Sequence, residues 1–492
     1  MGNREFVSSV PSVASEFRSA QLGDRRLCTR VAQVADRLSA APADGFPRSL
    51  KTEAEAEGFY RLLRNRRVNY GLLVKAHVEQ TVERMQQGST ILVPHDTTEF
   101  QFPGEPGSRE GLGQARSSNS SHGFFAHVSL ALTASSTPQP LGTLGMFCWA
   151  RTQRRPKPRG RHLTGGQLAR LSDKESVRWL QQVEAAEAAV GGRSSLVHVM
   201  DREADTYVLL HGMMEKDRRF VVRMARDRVV HDVARNGEVV DDDPVRLSET
   251  LSKLRVQTTR EVALASRASS RIPGKRRTHA PRVSRPATLA ISAGRVALRR
   301  PNYLGEQLPD TLEVNVVYAR EVDTPDGCTP VSWVLVTSEP IETGADVEVI
   351  LDYYRARWVI EEFFKALKTG CDFESRQLES FKTLTNALAL FLPVAWQMLL
   401  LRSLTRARPD DPASRVLRPV QIQILLHFQS AKMPANNATV RDALYAVAGL
   451  GGHLKQNGFP GWMTLSRGMQ ELVMLEAAWT AGVDSIAKTN AN

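Results

Sequence analysis

The sequence predicts an α/β protein of several domains with helical segments at both ends, and three observations carry that prediction. Short apolar runs at 91–93, 125–132 and 141–149 are followed by a helical pattern, a further apolar run at 196–200 and another helix, the alternation of an α/β layer. Residues 1–75 and 469–481 carry apolar side chains at helical spacing. Residues 218–345 are rich in Val, Arg and Thr and read as a separate β-rich segment. With roughly 150 residues per domain, a chain of 492 residues holds about three domains.

Taken in order, Asp24 is a candidate helix N-cap, and Leu27, Val31, Val34 and Leu38 share one face with Arg26, Arg30 and Arg37 beside it. A second helix is expected from near Thr52 to Arg64 and a third from Asn69. After the three strand-like runs, a helix is expected from Asp173 to about Val190, a strand at 196–200, and a helix from Glu203. Between Arg255 and Arg300 there are 12 Lys/Arg and a single acid, Glu261, interleaved with Pro273, Pro281 and Pro286. This is a β-rich insertion carrying a basic loop, and like charges at that density favour a phosphate backbone as counter-charge. A smaller loop, 151–162, has no acids. A strong helix is expected from Asp352 to Thr369, an apolar one over 383–401, polar and partly irregular chain over 410–437, and an amphipathic helix in the tail.

Composition narrows the function classes. Hydrophobic residues are 42% and charged residues 24%, which excludes a disordered or collagen-like chain. The formal net charge of +12 points to a polyanionic partner. The most apolar run, 387–401, is interrupted by Pro393 and Gln397 and falls short of the ~18 apolar residues of a span, so no membrane span is expected. The first ten residues contain Glu5 and no apolar h-region, so no secretory signal is expected, and myristoylation at Gly2 is discounted. Cys28, Cys148, Cys328 and Cys371 form no Cys-x-x-Cys pair. Neither a zinc site nor a disulfide framework is indicated, and the four read as packing residues in a reducing cytoplasm.

The chemistry concentrates in acids. Asp96 follows the run 91–93 and Asp201 follows 196–200, so both are expected at strand ends. Like charges at sheet spacing raise each other's pKa, and divalent cations resolve that conflict. Tyr354, Arg357, Glu361 and Lys368 are separated by three, four and seven residues, which at about 100° per residue puts them on one helix face. Intrahelical salt bridges would account for the charges. A carboxylate among phosphate-pairing cations would also complete a three-acid site for two divalent ions about 4 Å apart, the arrangement for in-line phosphoryl displacement. His95 reads as a hydrogen-bonding neighbour of Asp96. Glu203 and Asp205 read as structural partners of nearby basic side chains, and Trp149, Trp179, Trp396 and Trp462 as core or interface. Trp333 has a sharper reading, since a tryptophan that faces a basic cleft would give a flat stacking platform.

Leu-Gly-Asp-Arg-Arg at 22–26, Asp-Thr-Thr at 96–98, Asp-Arg-Glu-Ala-Asp at 201–205, Arg-Phe-Val-Val-Arg at 219–223, Trp-Val-Leu-Val-Thr-Ser-Glu-Pro at 333–340 and the Tyr, Arg, Glu, Lys tetrad together resemble the cut-and-paste DDE transposases of the insertion-sequence four family, over roughly 20–480. The resemblance implies an RNase H-like catalytic core interrupted by a β-rich insertion, with an N-terminal helical DNA-binding domain and a C-terminal helical dimerisation domain. The implied bounds are 1–75 for DNA binding, 76–217 and 346–405 for the core, 218–345 for the insertion and 406–492 for dimerisation.

The resemblance further implies that Asp96, Asp201 and Glu361 are catalytic and hold two Mg2+ ions, with Mn2+ substituting. Tyr354, Arg357 and Lys368 would contact transposon-end phosphates, Trp333 would receive a flipped base, and Arg223 would lie near the active site. Arg26, Arg30 and Arg37 would contribute to end recognition. The implied function is a transposase that binds the terminal inverted repeats of its element, excises it through a hairpin end and joins the 3′ ends to target DNA. Its partners would be double-stranded DNA and a second copy of itself on DNA, in a bacterial cytoplasm at the nucleoid. The alternative is a catalytically silent DNA-binding protein derived from a transposase, which would have lost an acid or the tetrad. A stand-alone RNase H-like nuclease would not need the long insertion. Gln377 stands where the resembled pattern has arginine, and 120–125, 271–285 and 405–440 also depart from it.

Overall fold

The computed structural model describes residues 11–50, 52–105, 107–115, 121–151, 165–233, 243–264, 282–428 and 433–490. The first ten residues, most of the basic loops at 151–162 and 271–285, and Ser120 lie outside the described residues. The chain divides into two compact units: Met1–Lys157, Glu184–Ser195 and Trp358–Asn492 form the first, Pro158–Val183 and Leu196–Arg357 the second.

The first unit opens with helices whose ends are written into the sequence. Helix α1 (Arg25–Ala40) starts where the Asp24 side chain accepts the Arg26 N–H. Helix α2 is a single turn, Phe46–Ser49. Thr52 caps α3 (Glu53–Arg64) and Asn69 caps α4 (Tyr70–Glu83), each satisfying an orphan donor of a first turn. On α1, Val31, Val34 and Leu38 are buried, the face the apolar spacing selects. Four strands follow: β1 (Thr90–Pro103), β2 (Gly113–Gln114), β3 (Ser121–Thr133) and β4 (Pro140–Trp149). β3 pairs antiparallel with β1, β2 and β4.

Strand β1 runs much further than the apolar run 91–93 suggested. Its ladder with β3 extends past Asp96↔Val128 to Phe102↔His122, and Phe100 and Phe102 resume the buried alternation. Asp96 therefore lies in the middle of a strand and not at its end, because the half-buried stretch Asp96 to Glu99 separates two apolar anchors of one continuous ladder.

Helix α5 (Gly165–Val190) leads to β5 (Ser195–Met200), beginning eight residues before the expected Asp173. The helix expected from Glu203 starts later: Arg202–Ala204 is a 3-10 turn, and α6 (Tyr207–Met214) begins at the Thr206 cap. Asp205 is withheld from α6 because its carboxylate is committed elsewhere, as described below. The second unit then builds β6 (Arg219–Arg223), β7 (Val229–Asp232), β8 (Val245–Arg246), helix α7 (Leu247–Lys253), β9 (Val256–Leu264), β10 (Arg285–Arg299), β11 (Thr311–Val322) and β12 (Ser332–Thr337). β5 and β6 are parallel, while β6, β12, β11, β10, β7 and β8 follow in antiparallel order with β9 also on β10. The result is a mixed sheet with helices. Its core gathers Trp179, Tyr207, Phe220, Val222, Leu298 and Val336.

Helix α8 is Gly344–Ala356, closed at its start by a Thr343/Asp346 capping box. It begins before the expected Asp352. The helical run is also interrupted: the Arg357 N–H turns back to the Tyr354 and Arg355 carbonyls, and a new helix, α9 (Trp358–Lys365), follows. Ala366–Gly370 then forms a π turn. The tetrad thus spans α8, the break, α9 and the π turn, and a constant 100° step does not apply across those changes of winding.

The first unit resumes with α10 (Phe381–Ala407), α11 (Pro419–His427), α12 (Val440–Leu450) and α13 (Trp462–Asn490). Helix α10 is long and apolar enough to cross a membrane by length and composition, and 89% of its most apolar window is buried inside the protein. It packs against α4, β4 and α3. Trp396 donates its indole N–H to the Pro140 carbonyl at 2.9 Å under the Arg84 guanidinium. The segment 410–437, expected to be partly irregular, contains α11, started by Pro419. In the apolar stripe of the tail Leu472 is fully buried within this chain, where α13 packs on α1, α11 and α12, while Met469, Leu475 and Trp479 are half-buried. Among the cysteines, Cys148 and Cys371 are buried as packing residues, while Cys328 is exposed.

Candidate active site

In the second unit, β5 ends at Met200 and delivers Asp201 as the N-cap of the following turn. The parallel register Met200↔Val222 puts Arg223, the last residue of β6, level with Asp201. Tyr354 on α8 donates its hydroxyl proton to Asp201 Oδ1 at 3.1 Å and accepts from Arg223 Nη1 at 3.2 Å. Arg357, itself buried, places Nη2 3.5 Å from Asp201 Oδ2, and Arg223 Nη1 lies 3.9 Å from Oδ1. Trp333 on β12 meets the Tyr354 ring edge-on with centroids 5.7 Å apart. Asp201, Arg223, Trp333, Tyr354 and Arg357 are thereby brought together.

The electrostatics of this cluster are one-sided. Burial alone would raise the Asp201 carboxyl, but Arg357, the Arg202 backbone N–H, Arg223 and the Tyr354 hydroxyl outweigh it and hold the group below the usual carboxylate range. Burial and the Asp201 charge push the Tyr354 phenol up. Asp201 is therefore an anion and Tyr354 a proton-bearing donor at neutral pH. The turn carrying Asp201 is fixed by Asp205, whose carboxylate accepts the Ala225 and Arg226 N–H groups and the buried Arg228 guanidinium. This is the structural role expected of Asp205.

In the first unit, Asp96 Oδ1 accepts the Thr97 N–H at 2.7 Å. His95 faces the opposite side of the strand, is fully buried and shares a hydrogen bond with Ser129 Oγ at 3.0 Å, as a neighbour and not a ligand would. Glu361 is half-buried in the first turn of α9, which packs against β1. The next residue, Glu362, is turned inward to Lys365 at 2.7 Å and Arg402 at 3.6 Å. Lys368 donates to the Glu99 carbonyl, lies 3.4 Å from Glu374 Oε1 and sits 5.3 Å over the Phe100 ring.

Of Arg26, Arg30 and Arg37 on α1, the first two are exposed and the third is half-buried. Arg30 and Arg37 lean toward α3: the Arg30 guanidinium lies where a Cβ on Gly58 would stand, and Arg37 pairs with Glu55 at 2.9 Å. The side chains not anticipated from sequence are Glu374 and Arg376. Neither stands in a motif, and no local spacing singles them out.

Carboxylates are hard oxygen donors of the kind Mg2+ takes, and the ionised state of Asp201 suits that chemistry. Among the described residues, no three His, Cys, Asp or Glu side chains gather as a metal-binding group. Comparison with known families places two descriptions on the chain. Residues 11–68 match "Transposase DNA-binding" and residues 176–392 match "Transposase DDE domain". The second stretch contains Asp201, Arg223, Trp333, Tyr354, Arg357, Glu361 and Lys368, while Asp96 lies ahead of it.

Proposed function

We propose, from the premise that the chain belongs to the DDE-type transposases, that it is a cut-and-paste enzyme of the insertion-sequence four family type. In this reading it binds the terminal inverted repeats of its element, excises the element through a hairpin end and joins the 3′ ends to target DNA. The observation that carries the reading is the anionic Asp201 at the end of β5, ringed by Arg223, Tyr354 and Arg357. An ion pair needed only for stability would not require a phenol and two guanidinium groups around a single partly exposed carboxylate.

Asp96, Asp201 and Glu361 would hold two Mg2+ ions, with Mn2+ as substitute; bound there, the ions supply charge neutralisation and an activated hydroxyl for phosphoryl transfer. Arg223 and Arg357 offer fixed forks for a phosphate that displaces them from Asp201. Tyr354 keeps its proton and orients the same phosphate as a donor. Lys368, held on β1 by Glu99 and Glu374, contributes a point charge, and Trp333 offers a ring face to an unstacked base. The core would have the RNase H-like layout over 76–217 and 346–405 with 218–345 as its insertion. End recognition would fall to 1–75, with Arg26 and Arg30 exposed on α1, and pairing of subunits on DNA to 406–492.

The test is Glu361→Gln. It should leave end binding nearly intact and abolish cleavage in Mg2+, because the fold does not need that charge and the chemistry does. Ca2+ should support binding without cleavage. Cleavage by Glu361→Gln at the wild-type rate would refute the assignment, and a wild type that binds ends but never cleaves them would leave the silent DNA-binding protein as the better reading.

A further inference from the structure

Residues 373–376 form a short turn that reaches in two directions within the first unit. It is entered through Asp372 in a left-handed conformation at φ 45°, uncommon for a residue with a Cβ. Arg376 is 2% exposed. Its guanidinium donates to the carbonyls of Pro42 and Asp44, and to that of Cys371 just after the π turn. The same group lies 5.0 Å from the ring centroids of both Phe46 and Phe391. Pro42, Asp44 and Phe46 belong to the stretch matched as transposase DNA-binding. Two residues earlier, Glu374 accepts the Gln101 N–H of β1 at 2.8 Å and lies 3.4 Å from Lys368 Nζ.

A buried guanidinium is costly, and carbonyl and aromatic partners offset that cost only while all of them hold their places. One planar fork therefore ties the α1–α2 connection, α10 and the chain after the π turn in a single geometry. A lysine ammonium, a point charge on a flexible stem, cannot reproduce it. The carboxylate on the other side of the turn sets Lys368 against the strand that carries Asp96.

We propose that residues 373–376 are a positioning clasp: Arg376 locks the N-terminal DNA-binding segment to the turn after α9, and Glu374 holds Lys368 against β1. Through the clasp, an end seated on the N-terminal segment is aligned with the strand and helix that carry Asp96 and Glu361. The clasp governs the rate of cleavage and not the strength of end binding. This inference rests on the functional reading above.

The experiment compares full-length wild type, Arg376→Lys and Glu374→Gln. The probes are duplexes taken from the ends of the DNA segment that carries the gene, and scrambled duplexes of the same composition. Binding is read by mobility shift in Ca2+, and cleavage by single-turnover rates at saturating protein in Mg2+ or Mn2+. Both variants should bind the end with about wild-type affinity and preference and cleave it at least about tenfold more slowly, the cost of a small misplacement of reacting groups.

Wild-type cleavage rates in both variants would overturn the clasp, and so would a parallel fall of binding, cleavage and melting temperature, which marks a merely structural role. Should Arg376→Lys fail to fold, Glu374→Gln decides by the same split between affinity and rate. A wild type that never cleaves would sink the functional reading and this inference with it, whereas cleavage by all three proteins at the same rate sinks the clasp alone.

Discussion

Replacing Asp205 by alanine should cost more than any other single change near Asp201. Its carboxylate is fully buried and accepts four hydrogen bonds: Ala225 N–H at 2.8 Å, Arg226 N–H at 3.1 Å, Arg228 Nε at 2.9 Å and Arg228 Nη2 at 2.5 Å. Each bond to a charged group contributes about 1.5–3 kcal/mol net, but the four are not additive. The governing quantity is the stranded Arg228 guanidinium, with a side chain 6% exposed. Removing one partner of a buried ion pair costs about 3–5 kcal/mol. Asp205→Ala should lower the stability of the second unit by that amount, read as the shift of its urea transition. Asp205→Asn, which keeps one acceptor oxygen, should lose less.

The double variant Asp205→Leu with Arg228→Met should recover the share owed to the unpaired guanidinium while leaving the Ala225 and Arg226 N–H groups orphaned. Because Asp205 also braces the turn that presents Asp201, end cleavage should fall with Asp205→Ala at temperatures where the variant is still folded. A shift below about 0.5 kcal/mol, or no recovery in the double variant, would show that the pair is not what holds this turn.

Other consequences follow from the same geometry. Burial lowers His127 to about 3, so the unfolded chain takes up the proton first as pH falls; stability is full above about pH 6.5 and declines below it by about 1.4 kcal/mol per pH unit until pH nears 3. Urea midpoints between pH 7 and 5 should show that slope, and an equal slope in His127→Gln would place its origin elsewhere. Trp333→Ala should slow hairpin formation about ten- to a hundredfold, the worth of one stacked base, while sparing the first nick; gel analysis showing equal slowing of both steps would reduce Trp333 to a packing partner of Tyr354. Leu472→Asp puts a charge into a fully buried site and should destabilise the C-terminal helices by at least about 3 kcal/mol; an unchanged melting curve would mean that this face of α13 is free after all.

What the sequence determined by itself was local in origin. Asp24, Thr52 and Asn69 each bond a backbone N–H two or three residues on, so helix starts are written within a few residues. The Leu196 to Met200 run ending in Asp201 is likewise complete in itself, and the motifs around it were enough to indicate a transposase, which the two family matches support. Tertiary structure decided whatever depends on a distant partner. Asp96 sits mid-strand because β3, about 30 residues later, pairs across it. Arg30 and Arg37 turn toward α3 because Gly58 leaves room and Glu55 offers a charge. The tetrad is split because Arg357 ends α8 while pairing with Asp201. Arg376, bonded to carbonyls more than 300 residues earlier, has no signature in its neighbourhood. Hydrogen bonds spanning a helical turn are fixed by sequence spacing, whereas the partner of a buried charge is selected only when packing excludes water and leaves one acceptor within reach.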